Sequence, residues 1–167
     1  VLYMCDAFAK LGVEVELVLP IDEKQLSNEQ LDILTMRKIN KQRDFSIRQY
    51  KRIKISSRFN AIGDYFGLRR HIIESNPDIF FTRTPIVLPV IRKLNKPVIF
   101  ESHSPHLQNS FKLLDKIYKL KLSKEMKENK KLALVTISEA LRKYWIDQGM
   151  DASKIFSLHD GFDDSIF

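Results

Sequence analysis

Short runs of consecutive apolar residues alternate along the chain with stretches of helical spacing, and this alternation restricts the fold more than any other feature. DIFFTR (Asp78–Arg83), PVIFE (Pro97–Glu101), LALVTI (Leu132–Ile137) and KIFSLH (Lys154–His159) read as strands. The first three have near-continuous apolar cores, the pattern of strands buried on both faces. Helical segments separate them, so the expected fold class is α/β, a doubly wound parallel sheet. With 167 residues and 44% hydrophobic content, the chain can form one ordinary domain with a sizeable core.

Local signals place the elements. Leu2, Cys5, Phe8 and Ala9 have helical spacing, Gly12 supplies a stop, and VEVELVLP (Val13–Pro20) follows as a strand. From Ile21 to about Arg48 the chain is polar and weakly periodic, which predicts a variable excursion with one short helix, and YKRIKIS (Tyr50–Ser56) predicts the next strand. Asn60 is placed to cap a helix carrying Ile62, Phe66, Ile72 and Ile73, closed by Asn76 and Pro77. In TPIVLPVIRKL, Thr84 is an expected N-cap, Pro85 suits a first turn, and Pro89 is expected to kink or shorten the helix. A long lysine-rich helix runs to about Lys130, and a further helix starts at Ser138 and is stopped by Gly149.

A net charge of +7 favours anionic partners. Cys5 stands alone, which excludes an internal disulfide and any cysteine-cluster metal site and suits a reducing cytoplasm. No apolar run reaches the roughly 18 residues a membrane-spanning helix needs, and no charged-then-apolar leader is present, so a soluble protein is expected. The chain opens at Val1 directly into VLYMCDAFAKLG, which reads as the second half of a unit. A fragment is expected.

In open parallel α/β sheets ligands bind beyond the carboxyl ends of the strands, and there the apolar runs give way to polar residues. PVIFE is followed at once by Ser102, His103 and Ser104. His103 either bonds a backbone carbonyl or, being an imidazole at a strand end, hydrogen-bonds a sugar hydroxyl, shuttles a proton or pairs with phosphate. Zinc on His103 and His106 lacks a third ligand. Arg83 ends its strand as Glu101 ends its own, placed to anchor a carboxylate or phosphate, or else to pair with a nearby acid. Ser138 reads as an N-cap whose exposed helix amides would also suit an anion. In HDGFDD, Asp160, Gly161 and Asp163 read first as a turn.

The strand-end histidine of PVIFESHSP, the segment ALVTISEALRKYWIDQG and the closing SLHDGFDDSIF together resemble the amino-terminal domain of a GT-B glycosyltransferase, closest to the retaining glycosyltransferase family 4. The resemblance covers most of the chain. It implies a Rossmann-like half of a two-domain enzyme, spanning residues 1–167, that holds the acceptor, with a second domain holding a nucleotide sugar. It implies His103 as the active-site histidine, and Gly161 with Asp163 as the glycine and aspartate at the exit toward the second domain. Arg83, Glu101, Ser104 and Ser138 are expected to line the substrate, an acceptor glycan or lipid-linked acceptor. The nucleotide sugar is a donor substrate; no cofactor and no metal are expected. The family's first strand, its glycine-rich loop and its donor-binding domain are not in this sequence, so this stretch alone is expected to be inactive and poorly stable.

On a helical wheel of FKLLDKIYKLKLSKEMKENKK (Phe111–Lys131), Lys112, Lys116, Lys119, Lys127 and Lys130 form one stripe, opposite Phe111, Leu114, Ile117, Tyr118 and Leu122. The stripe is either a solvated outer face or a surface that meets anionic lipid, which would place a cytoplasmic protein at the inner face of the membrane. No aromatic platform or recognition motif accompanies the lysines, so nucleic acid is not an expected partner. Two rival classes stand beside the transferase. A nucleotide-dependent oxidoreductase lacks a G-x-G-x-x-G motif here; a non-enzymatic module would use the basic helix to bind an anionic partner.

Overall fold

A computed structural model describes residues 1–21, 26–39, 44–51, 60–107 and 112–158. The chain divides into two compact units, Val1–Leu68 and Arg69–Phe167. The first contains α1 (Leu2–Lys10), β1 (Glu16–Ile21), α2 (Asn28–Ile39) and β2 (Ser46–Lys51). Helix α3 (Asn60–Ser75) belongs to both units. The second continues through β3 (Phe80–Thr82), α4 (Leu88–Lys93), β4 (Val98–Ser102), α5 (Lys112–Glu128), β5 (Leu132–Thr136), α6 (Glu139–Asp147) and β6 (Ile155–Ser157).

In the first unit β1 and β2 pair in parallel, from Glu16 opposite Ser46 to Ile21 opposite Lys51. Cys5 and Phe45 are buried, with Leu2, Ala9, Val15, Leu17 and Ile47 packed around them. Burial raises the Cys5 thiol's pKa, because the thiolate loses its solvation. Gly12 takes φ +81°, the left-handed conformation that ends α1. The polar excursion holds a full helix, not a short one: the amide of Gln30 donates to Ser27 Oγ at 3.2 Å and the amide of Ser27 to Gln30 Oε1 at 3.0 Å, a reciprocal capping box at the start of α2. The side-chain amide of Gln49 pairs with both backbone groups of Leu26, at 3.0 and 2.8 Å, as a neighbouring strand would.

Two strand boundaries move. β1 begins at Glu16, three residues later than the apolar pattern from Val13, and β2 occupies Ser46–Lys51, so it overlaps the expected Tyr50–Ser56 strand only at Tyr50 and Lys51. Residues 52–59, with the rest of that expectation, lie outside the described residues. Alternation in SIRQYK satisfies a half-buried strand as well as YKRIKIS does, so pattern alone could not choose between them. Tyr50 is buried and lies against Gly67 of α3; a Cβ on Gly67 would stand 2.5 Å from Tyr50 Cδ2 and 3.0 Å from the carbonyl oxygen of Lys51.

In the second unit the four strands lie in chain order, β3-β4-β5-β6, all parallel. Parallel neighbours joined by right-handed crossovers put their helices on one side of a sheet. Side chains alternate across the strands, so Phe100, Leu134 and Ile155 face that side and are essentially fully buried, with Leu88 and Ile91 of α4, Leu122 and Met126 of α5 and Trp145 of α6. Pro85–Val87 form a single 3₁₀ turn and α4 starts only at Leu88, with Pro89 in its first turn. Proline has no amide hydrogen to donate, so Pro89 divides this segment rather than kinking one helix. Thr84 occupies the N-cap of the 3₁₀ turn without a side-chain capping bond. Arg92 of α4 pairs with Glu125 (3.3 Å) and Glu128 of α5, and Lys154 Nζ donates to the carbonyls of Met126 (2.7 Å) and Asn129 (3.2 Å), at the carboxyl end of α5 where a cation is favoured.

Candidate functional site

Three strands of the second unit finish in the same way. Each ends on a hydroxyl residue, followed by one variable residue and a second hydroxyl: Thr82-Arg83-Thr84, Ser102-His103-Ser104 and Thr136-Ile137-Ser138. The first hydroxyl donates to the backbone oxygen two residues on, at 3.5 Å from Thr82, 3.0 Å from Ser102 and 3.1 Å from Thr136. These local side-chain bonds turn the chain off the sheet at each carboxyl end. Trp145 Nε1 adds a bond to Ser102 Oγ at 3.1 Å, and the indole is fully buried. Sequence reading singled out Ser104 and Ser138 but missed Thr82, Ser102 and Thr136. The repeated hydroxyl-x-hydroxyl spacing at the end of each apolar run was the available signal.

The middle residues of the first two triplets, Arg83 and His103, both reach the side chain of Glu101. Phe80 pairs with Val98 and Thr82 with Phe100, so the register continues to set Arg83 level with Glu101. Glu101 is buried, and its Oε2 accepts a hydrogen bond from Arg83 Nε and lies 3.2 Å from His103 Nε2. A buried carboxylate is costly without a partner, and Arg83 supplies one. Arg83, Glu101 and His103, separately expected at strand ends, therefore converge on a single carboxylate oxygen. Arg83 and His103 are each partly open to solvent while Glu101 is not. Glu101 thus orients both cationic or proton-carrying groups from behind.

The loop after β4 is fastened on its other side by Asp115, a buried acid in the first turn of α5. Asp115 Oδ1 accepts from the amide of Leu107 at 2.7 Å, and Oδ2 lies 3.3 Å from His106 Nδ1 and 2.9 Å from Lys119 Nζ. Lys119 also donates to Tyr144 Oη of α6 at 3.0 Å. Burial works against its charge, yet the hydrogen bonds to Tyr144 and Asp115 prevail and hold its ammonium above the ordinary value. His106 therefore belongs to this loop anchor, as Ser104 does, whose Oγ accepts from the amide of His106 at 3.1 Å. Ser138 is the N-cap of α6 and accepts from the amide of Leu141 at 3.2 Å. Gly161 and Asp163 lie outside the described residues.

The lysine stripe is redistributed. Lys112, Lys116 and Lys127 are exposed on α5, Lys130 lies beyond the helix end, and Lys119 is drawn in to Asp115 and Tyr144. Ile117, expected on the buried face, is outward; the face that packs is Asp115, Tyr118, Leu122, Glu125, Met126 and Asn129. Tyr118 and Leu122 are buried as the wheel expects, and Phe111 and the side chain of Leu114 lie outside the described residues. The wheel misplaced Ile117 and Lys119 because the acids Asp115 and Glu125 turn inward to cationic partners, so polarity did not mark the solvent side.

A parallel sheet with its polar cluster at the carboxyl ends of adjacent strands defines a Rossmann-like α/β class, and solved structures agree. The chain is similar to UDP-N-acetylglucosamine 2-epimerase from Rickettsia bellii, at 8% identity and TM-score 0.50 over 87% of this chain and 44% of that one. It is also similar to Anabaena Alr3699/HepE in complex with UDP, at 11% identity and TM-score 0.52 over 90% of this chain and 45% of that one. At such identities the likeness shows the fold, a Rossmann-like half of the GT-B type, and the chain spans less than half the length of either structure. No curated protein sequence matches it. The family profile named Glycosyltransferase Family 4 matches residues 1–166, and the chain belongs to that family.

Proposed function

We propose that residues 1–167 form the acceptor-side half of a retaining hexosyltransferase, which moves a sugar from a nucleotide-sugar donor to a glycan or lipid-linked acceptor. The donor is held by a second domain of the same protein, and the enzyme works in the cytoplasm. Family membership supports transfer chemistry, and likeness to a protein solved with UDP supports a nucleotide-linked donor. The observation that carries the assignment to this site is the convergence of Arg83 and His103 on the buried Glu101.

Glu101 facing Nε2 favours the tautomer that carries its proton there, leaving Nδ1 of His103 as an acceptor for a sugar hydroxyl. Arg83 gives Glu101 its Nε, one of five guanidinium donors, and the fork that suits carboxylate or phosphate is not exhausted by that bond. Ser104 and Ser138 accept backbone amides and keep their own O–H donors for substrate. Gly161 and Asp163 are assigned to the exit toward the donor domain on the resemblance of HDGFDD to the family's pattern alone. No metal is needed in this scheme, because the Arg83 guanidinium supplies a positive charge.

The test is made in the whole protein, with UDP-linked and other nucleotide-linked hexoses as donors. His103→Ala should lower transfer roughly 100-fold or more, the scale of a lost proton-transfer or orienting group. Undiminished transfer removes His103 from the mechanism.

A further inference from the structure

Two adjacent residues of α6 fasten the two ends of the segment that carries His103. At its start, Trp145 Nε1 donates to Ser102 Oγ at 3.1 Å, and both side chains are buried. An indole nitrogen can only donate, so it occupies a lone pair of Ser102 and leaves the hydroxyl hydrogen for the Ser104 carbonyl, 3.0 Å away. At its end, Tyr144 Oη accepts from Lys119 at 3.0 Å, Lys119 pairs with Asp115 at 2.9 Å, and Asp115 accepts the Leu107 amide at 2.7 Å. His103 lies between these two fastenings, its Nε2 at 3.2 Å from Glu101. The other strand ends are held differently. Thr82 Oγ1 accepts the amide of Thr84 in its own triplet, and Thr136 Oγ1 faces two carbonyls, of Ser138 at 3.1 Å and of Phe156 at 3.4 Å. A hydroxyl has one hydrogen, so Thr136 divides it between them, whereas Ser102 commits its own to one. Among the described residues, the α6 donor is thus given to the triplet whose central residue is an imidazole.

We propose that Trp145 is a positioning residue for His103: acting through Ser102, its N–H fixes the backbone of residues 102–104 and so holds the imidazole with Nε2 toward Glu101. Trp145 is shut off from solvent, so its influence on the site passes through Ser102 rather than through contact with substrate. Packing alone does not call for the nitrogen. A buried N–H is costly unless it is bonded, and a phenyl ring would fill much of the same space without that cost. The bond therefore adds a constraint that an apolar ring would not, and it is directed at the strand end that bears His103. The effect on catalysis rests on the transfer reading proposed above; the effect on the orientation of the ring rests on the geometry alone.

The experiment uses the whole protein with histidine isotopically labelled at its ring nitrogens, the His103 signals being assigned by their loss from the NMR spectrum of His103→Ala. Trp145→Phe keeps most of the packing and removes the donor, and Ser102→Ala removes the hydroxyl it acts through. In each, the His103 ring nitrogens should leave the pattern of an Nε2–H tautomer and move toward the average of two exchanging tautomers, while the His71 signals stay in place. Where His103→Ala lowers transfer, each variant should lower kcat about tenfold and change KM by less than about twofold, the scale of one lost hydrogen bond that governs orientation. The double variant should transfer as Ser102→Ala does, within about twofold, because the N–H acts only through that hydroxyl. Should Trp145→Phe not fold, Ser102→Ala decides alone. Native His103 ring signals in a folded variant, an equal displacement of the His71 signals, a loss confined to KM, or a double variant whose loss is the product of the single losses overturns the proposal. If His103→Ala transfers undiminished, the transfer reading fails, and the ring signals still decide this one.

Discussion

The two units are built from the same kinds of element but bury very different amounts of them. In Arg69–Phe167 four parallel strands are joined by helices, and Trp145, Phe100, Leu88, Leu122, Met126 and Leu134 are nearly or completely shielded from solvent. In Val1–Leu68 two parallel strands carry a cluster centred on Cys5 and Phe45, while Tyr3, Leu11, Ile33, Leu34 and Met36 remain exposed. A parallel ladder is stable when several strands share cover on their faces, and two strands alone give little interior to protect. Among the described residues the larger fully shielded interior lies in the second unit, and the polar cluster is mounted on that unit.

The strongest way to break this contrast is Trp145→Ala. It removes a fully buried indole and its bond to Ser102, and should cost about 3–5 kcal/mol. Native-state hydrogen exchange should then show faster opening of β4 and β5 amides with β1 and β2 little altered. Equal acceleration in both units would mean that they share one cooperative core. Gly67→Ala probes the other side. Its new methyl group meets the Tyr50 ring and the Lys51 carbonyl, so a cost of about 1–3 kcal/mol is expected, read as lost protection in β1 and β2. Unchanged protection there would show that the packing of α3 on β2 is slack.

The smallest effect sharpens the account of the α4–α5 contact. Burial is the main cause that raises the pKa of Glu125, and Glu128 adds to it, against the opposing charges of Arg92 and Lys124. The folded protein therefore holds that proton more tightly than the unfolded chain, whose glutamate titrates near 4.5. The resulting stabilisation is present below that value and is lost as pH rises through the folded pKa. Subtracting the stability curve of Glu125→Gln from that of the native sequence should leave a difference that falls with rising pH above about 4.5. A flat difference would show that Arg92 compensates the buried charge in full.

Much of the second unit was legible because its local signals agree. Apolar runs gave β4 and β5, Ser138 and Gly149 bound α6, and strand-end polarity pointed to Arg83, Glu101 and His103. Their convergence was not legible, because it depends on β3 and β4 pairing eighteen residues apart, a register that no local pattern encodes. The first unit was less readable because its patterns are ambiguous, not because apolar residues are scarce. SIRQYK and YKRIKIS alternate equally well and compete for one strand, and the capping box of Ser27 and Gln30 was an available start signal for α2 that the expected short helix did not use.

The hydroxyl triplets separate the backbone of each strand end from the identity of its central side chain. Thr82, Ser102 and Thr136 fix the path of the chain through their own bonds, and none of those bonds involves the side chain of residue 83, 103 or 137. The backbone turn at each end therefore does not depend on its central side chain, but only Ile137 is without a tie to Glu101, whose buried carboxylate Arg83 partners and His103 approaches. Diversifying residue 137 with the flanking hydroxyls kept would vary the strand-end surface on an inherited backbone, whereas changing residue 83 also requires relieving the buried charge of Glu101.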